Sequence, residues 1–141
     1  MKTNKTKIMV FGTFDGVHLG HLNFFKQAKG LASKSFLIAS IARDNNVKKI
    51  KGEKPEFKEA KRLKLIKETR LADKVILASK GNYLSNILKE KPEIIALGYD
   101  QKAYVRELKK DLKNKGILIK IIRLKPYKEH IYKNHLLKRL S

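Results

Sequence analysis

The chain has 141 residues and a mass of 16.3 kDa, 42% of them apolar, which is room for one domain (residues 1–141) with a real core. It contains no cysteine, which excludes a disulfide framework, a thiolate metal site, an iron–sulfur cluster and a cysteine nucleophile; no apolar run approaches the roughly 20 residues of a spanning helix, so a soluble, cytoplasmic protein with no membrane partner is expected. Lys plus Arg number 34 against 13 acidic residues, a formal net charge of +21, and a surplus of that kind attracts nucleic acid, acidic membrane or phosphorylated small molecules.

The charge alone does not choose among these. Blocks such as Lys48-Lys49 and Lys109-Lys110 are short and interrupted, which also fits lysines spread over every element simply to solvate the surface.

Apolar runs alternate with amphipathic stretches along the whole chain. The first run, Ile8-Met9-Val10-Phe11, stops at Gly12. A helical pattern follows, with Leu22, Phe25, Ala28 and Ala32 at spacings of three and four and Lys26 and Lys29 on the other side. The second run is Phe36 to Ala42. Asp44 to Lys58, rich in Lys, Asn, Gly and Pro, reads as a long irregular piece: either a slack surface loop or a phosphate-handling lid.

Pro55 and Glu59 then open a helix marked by Leu63, Ile66 and Arg70. A third run, Val75 to Ala78, precedes a short helix from Tyr83 to Glu90, ended by Lys91-Pro92 because proline disfavours a helical residue before it. Ile94 to Leu97 is the fourth run, and Gly98 closes it. Val105, Leu108 and Leu112 mark a helix ending near Asn114 and Gly116; Ile117 to Ile122 is the last run. A final helix is expected from about Lys133 to Leu140.

Runs apolar on both faces are buried parallel strands, and strand–helix alternation with short connections implies right-handed crossovers. The fold class is therefore α/β, a three-layer sandwich with a five-stranded, mainly parallel sheet.

Ligands in such folds sit at the carboxyl ends of the strands. There, after the first strand, the chain reads Gly12-Thr13-Phe14-Asp15-Gly16-Val17-His18-Leu19-Gly20-His21. This is neither GxGxxG nor GxxxxGK[ST]. Half of the chain's four histidines stand here, at i and i+3 on one helical face. Free N–H groups and the positive end of the helix dipole meet at the same point, a ready anion site. Gly20 removes a side chain, which lets a ligand approach the backbone. Imidazoles there can donate to a phosphoryl group as its charge grows in an in-line displacement. Capping or surface roles are the alternative for such histidines. Metal ligation would need a third ligand, for which Asp15 is the one obvious candidate.

The ten-residue string GTFDGVHLGH resembles the HxGH signature of the nucleotidyltransferase superfamily of cytidylyltransferases and small adenylyltransferases. That resemblance implies a Rossmann-like fold joining a nucleoside triphosphate to a phosphorylated acceptor with release of pyrophosphate. Ile41-Ala42-Arg43-Asp44, Val47 to Gly52, Lys54-Pro55 and Leu97-Gly98-Tyr99-Asp100-Gln101 are most similar to the archaeal type of FAD synthase, which adenylylates FMN.

The resemblance implies His18 and His21 as catalytic residues. Nucleotide contacts would come from Gly12, Thr13, Phe14, Asp15, His18, Leu19, Gly20, His21, Asp100 and Tyr127, and phosphate or acceptor contacts from Arg43, Lys48, Lys51, Arg62 and Lys133. Asp100 has a turn-forming role as its alternative, and Tyr127 an ordinary packing role. No protein metal ligand is expected; magnesium would be bound through the substrate phosphates. The superfamily typically carries an Ile-Ser-Ser/Thr-Thr-Lys/Arg-Ile stretch at the start of its last helix. This chain departs from it, reading Ile131-Tyr132-Lys133-Asn134-His135-Leu136.

The expected partners are small molecules, and the resemblance leaves a homodimer open. Two rivals stand beside the adenylyl transfer to FMN: a cytidylyltransferase acting on glycerol 3-phosphate or a similar polyol phosphate, and a non-catalytic basic protein binding nucleic acid or nucleotide.

Overall fold

The computed structural model describes residues 5–79, 84–102 and 105–126. Five strands alternate with helices: β1 (Thr6–Gly12), α1 (Leu19–Lys29), β2 (Ser35–Ile41), α2 (Asp44–Lys51), α3 (Glu59–Thr69), β3 (Lys74–Leu77), α4 (Leu84–Glu90), β4 (Ile94–Leu97), α5 (Val105–Asn114) and β5 (Lys120–Arg123). The expected final helix, with Lys133, and Tyr127 lie outside the described residues.

The strands form one sheet in the order β3-β2-β1-β4-β5, and every pairing is parallel. β1 is central because it is apolar on both faces. Ile8 and Val10 join Phe25 and Ala28 of α1 and Ile66 of α3 in one core layer. Met9 and Phe11 point the other way, against Ile87 of α4 and Leu108 and Leu112 of α5. The sheet is thus covered on both sides, as the continuous apolar runs require. The chain steps outward from β1 to β2 and β3, then returns to place β4 on the other side of β1. That reversal opens a crevice at the carboxyl ends of β1 and β4, where doubly wound folds bind ligands.

Two elements differ from the sequence expectation. The segment after β2 is not wholly irregular: Asp44 to Lys51 forms α2, with Asp44 in its first turn and Gly52 at a left-handed φ of 83° as its C-cap. Val47 is the one buried residue of this helix, so it carries almost no apolar stripe. β5 also starts later than its apolar run. Pairing with β4 sets its register from Lys120, and Leu118 before it is 99% exposed.

Candidate active site

The turn after β1 is built around two glycine positions. Phe14 takes a left-handed φ of 50° and folds its ring back over Gly12, where a Cβ would lie 2.6 Å from the ring. The Phe14 side chain is buried and packs against Phe24 and Phe25 of α1. It belongs to the core, so what this residue offers a ligand is its backbone. Gly20 is likewise filled from within the protein. A Cβ there would come 2.8 Å from Cε1 and 3.0 Å from Nδ1 of His18, so the absent side chain lets the His18 ring lie against this turn.

His18 is the N-cap of α1. Its backbone is extended (φ −134°, ψ 176°), and its Nδ1 accepts from the His21 N–H at 3.3 Å. An accepting Nδ1 carries no proton, so the ring's N–H is on Nε2. The two imidazoles stack with centroids 3.8 Å apart and planes 19° from parallel, and the edge of Phe14 meets His21 at 5.5 Å. Both rings are partly buried. The Nδ1 of His21 is buried with no hydrogen-bond partner among the described residues.

Burial, the neighbouring His18 and the Lys51 ammonium push the pKa of His21 down to about 4, against an opposing pull from the Gly16 backbone. Burial lowers that of His18 as well. Both rings are therefore neutral near pH 7. Beside them, the N–H groups of Leu19 and Gly20 have no acceptor among the described residues, as the first turn of a helix dictates.

A cleft of about 420 Å³ adjoins this turn, lined by Thr13, Asp15, Val47, Lys51, Lys54 and Glu56, among others. It lies between the β1–α1 turn and the α2–α3 connection. Lys51, on the last turn of α2, faces both the cleft and His21. Lys48 sits on the same helix, exposed.

Three expected ligand residues make hydrogen bonds within the protein. Asp15 accepts from the N–H groups of Glu56 (2.6 Å) and Phe57 (2.8 Å), one carboxylate oxygen each, and so fastens the far wall of the cleft to the turn. Arg43 donates from Nε to Ala78 O (2.7 Å) and from Nη1 to Glu59 (3.3 Å).

Arg62 corrects its expectation most fully. It is 0% exposed, and its three nitrogens donate to Phe57 O (2.9 Å), Thr13 O (2.8 Å) and the Asp44 carboxylate (2.7 Å). A guanidinium so enclosed frames the turn and meets no phosphate. Burial alone would raise the pKa of Asp44, but the hydrogen bond from Arg62, the Glu59 N–H and the charges of Arg62 and Lys54 hold it below the usual value.

Asp100 stands in the turn after β4, with Oδ1 3.8 Å from the Cβ position at Gly98; Phe24 of α1 comes within 3.6 Å of the same point. The turn therefore borders the helix that carries His21. Sequence reasoning missed two residues that hold this end of the sheet. Arg123 donates to the carbonyls of that turn, and Gln27 of α1 clasps Lys125, accepting its N–H (3.0 Å) and donating to its carbonyl (2.8 Å). Their contacts span 22 to 98 residues of sequence and leave no periodic signal.

Among the described residues, no group of three or more His, Asp or Glu is placed to hold a metal ion, and no helix is long and apolar enough to cross a membrane. A parallel sheet with a neutral histidine pair over an open helix N-terminus and lysines at the cleft is an arrangement suited to binding phosphate groups.

Residues 9–135 match the cytidylyltransferase-like family, and the chain belongs to it. It is 38% identical over 121 residues to the FAD synthase of Thermoplasma volcanium, covering 86% of this chain and 83% of that one. With the FAD synthase of Methanothermus fervidus it shares 41% over 122 residues, at the same coverage. Among solved structures, a protein from Thermoplasma volcanium described as a lipopolysaccharide core biosynthesis protein superposes with a TM-score of 0.78 at 38% identity, over 86% of this chain and 98% of that one. A pantoate–β-alanine ligase from Francisella tularensis shares the fold, with a TM-score of 0.61 at 16% identity over 88% of this chain and 60% of its own.

Proposed function

We propose that the chain transfers AMP from ATP to FMN, giving FAD and pyrophosphate, as a cytoplasmic enzyme of small-molecule substrates. The observation that carries this reading is the stacked His18–His21 pair over the open N-terminus of α1. The choice of acceptor is supported by the FAD synthase relatives, which align over most of the chain.

A phosphate oxygen of FMN attacks the α-phosphorus of ATP. The new P–O bond forms as the bond to the β-phosphate breaks, and pyrophosphate leaves with the electron pair. A phosphate monoester is already ionised at neutral pH, so the protein need not remove a proton; its task is to place the groups and stabilise charge.

His18 donates from Nε2–H, and the Leu19 and Gly20 N–H groups complete the set of donors at the phosphate oxygens. His21 lies against His18 and shares that face. The Gly12–Thr13 backbone borders the nucleotide phosphates, and Lys48 and Lys51 hold charged oxygens from the cleft side. Asp100 accepts from a ribose hydroxyl or a base amino group. Asp15, Arg43 and Arg62 shape these walls and do not touch substrate.

A divalent cation such as magnesium would be held through the substrate phosphate oxygens, since the Asp15 and Asp44 carboxylates near the turn are already engaged by N–H groups and by Arg62. When bound, it neutralises part of the triphosphate charge.

The test is pyrophosphate release in magnesium with ATP or CTP, each paired with FMN or glycerol 3-phosphate. Turnover with ATP plus FMN is expected. Turnover confined to CTP with the polyol phosphate would replace this reading by a cytidylyltransferase, and absence of turnover in every pairing would remove the catalytic reading.

A further inference from the structure

Arg123, the last residue of β5, turns one guanidinium nitrogen onto three main-chain carbonyls of the neighbouring turn. Nη1 donates to Gly98 O at 2.8 Å, to Gln101 O at 2.8 Å and, at longer range, to Tyr99 O at 3.3 Å. Carbonyl dipoles converging on one point repel one another, and a cation placed among them offsets that repulsion.

Gln101 fastens the same turn from the other side. Its Oε1 accepts from Gly98 N and its Nε2 donates to Phe11 O, each at 3.2 Å, while its own N–H closes the turn onto Gly98 O at 3.1 Å. The turn after β4 is thereby tied to the ends of both flanking strands, β1 and β5. Phe11 is followed directly by the Gly12–His21 segment, so the Gln101 amide links the two turns that border the crevice.

We propose that Arg123 and Gln101 are positioning residues for the nucleotide: they hold the Gly98–Gln101 backbone at a fixed place beside the histidine pair, ready to meet the nucleoside end of the triphosphate. The proposal rests on the reading above that this turn, through Asp100, faces the nucleoside. A recognition turn that is already ordered binds more tightly because its ordering does not oppose binding. The chemistry at phosphorus takes place elsewhere, on α1. Loosening the turn therefore weakens nucleotide binding selectively.

The experiment compares wild type with Arg123→Ala, Arg123→Lys and Gln101→Leu. Three quantities are read: ATP affinity by calorimetry without acceptor, the KM values for ATP and FMN, and hydrogen exchange of the amides at 98–101. Arg123→Ala is expected to weaken ATP by about tenfold, the scale of one or two lost charge-assisted hydrogen bonds. The FMN KM and kcat should stay within about twofold, the split expected when binding of one substrate is lost. Exchange at the turn should accelerate, and Arg123→Lys, whose ammonium can still donate to the carbonyls, should recover part of both effects.

Unchanged exchange at 98–101 would overturn the proposal. So would equal losses for ATP and FMN accompanied by a lowered Tm, the pattern of a merely structural residue. If Arg123→Ala does not fold, Gln101→Leu decides by the same criteria. A wild-type protein that neither binds ATP nor turns over FMN would contradict the proposed function, and the exchange comparison would still decide whether the clamp holds.

Discussion

The imidazoles of His18 and His21 lie face to face at the head of α1, 3.8 Å apart and within 19° of parallel. Two charged rings would repel at that distance, and a proton on Nδ1 of His18 would break the cap it provides to the His21 N–H. The arrangement thus requires neutral rings. It has consequences for stability as well as for binding.

The first consequence is a pH dependence. His21 is pushed down to about 4 when folded, against an ordinary imidazole value of 6.5. Above 6.5 neither state holds the proton; between 6.5 and 4 the unfolded chain takes it up and the folded chain does not. Stability is therefore full above 6.5 and declines as the pH falls towards 4. Thermal unfolding should show Tm dropping across that window in wild type and a flatter profile in His21→Gln. Asp44, held below 3.8, acts at lower pH and does not confuse the comparison. Parallel profiles would contradict the assignment.

Gly20→Ala separates activity from stability. The new Cβ would displace the His18 ring, whose Cε1 lies 2.8 Å from its position. Losing the cap costs about 1 kcal/mol, while replacing glycine in a helix returns up to about 1 kcal/mol. Tm should hardly move, yet kcat should fall by about tenfold or more as the donor is misplaced. A variant with full turnover would show that the His18 ring position is not used.

Asp15→Ala removes the acceptor of two backbone N–H groups in the cleft wall. Both bonds are solvent-exposed, so the stability loss should be about 1 kcal/mol. The wall itself should loosen: amide exchange at Glu56 and Phe57 accelerates, and the acceptor KM rises by about tenfold. Unaltered exchange at those two amides would disprove the latch.

Arg62→Met tests whether the buried guanidinium is a frame or a phosphate ligand. Removing it strands the Thr13 and Phe57 carbonyls and unpairs Asp44. A loss of about 3 kcal/mol is expected in urea unfolding, with activity falling alongside. A variant of normal stability with only a raised substrate KM would restore the ligand role.

The sheet was legible because its strands are buried on both faces, so β1 and β2 appear as unbroken apolar runs next to amphipathic α1 and α5. The histidine pair was legible because i and i+3 positions share a helical face. α2 was not, because Val47 is its one buried residue and Ile50 is 43% exposed; its signals were the Asp44 and Gly52 ends and not a stripe. The start of β5 was misplaced because the apolar run begins at Ile117 and includes Leu118, which faces solvent. Arg62 read as a ligand because sequence shows its charge but not its burial. The reason for Gly20 was hidden in the His18 rotamer. Gln27, Gln101 and Arg123 act through the backbone of distant segments, which no local pattern records.

The most direct measurement is single-turnover formation of FAD from ATP and FMN by wild type, His18→Ala and His21→Ala, with folding of each variant checked by circular dichroism. His18→Ala is expected to slow the chemical step by at least about 100-fold, the scale of removing one preorganised donor at a developing charge, and His21→Ala, which removes the ring that His18 stacks on, by a comparable factor, while ATP still binds. Full-rate turnover in His21→Ala with an intact fold would contradict this expectation.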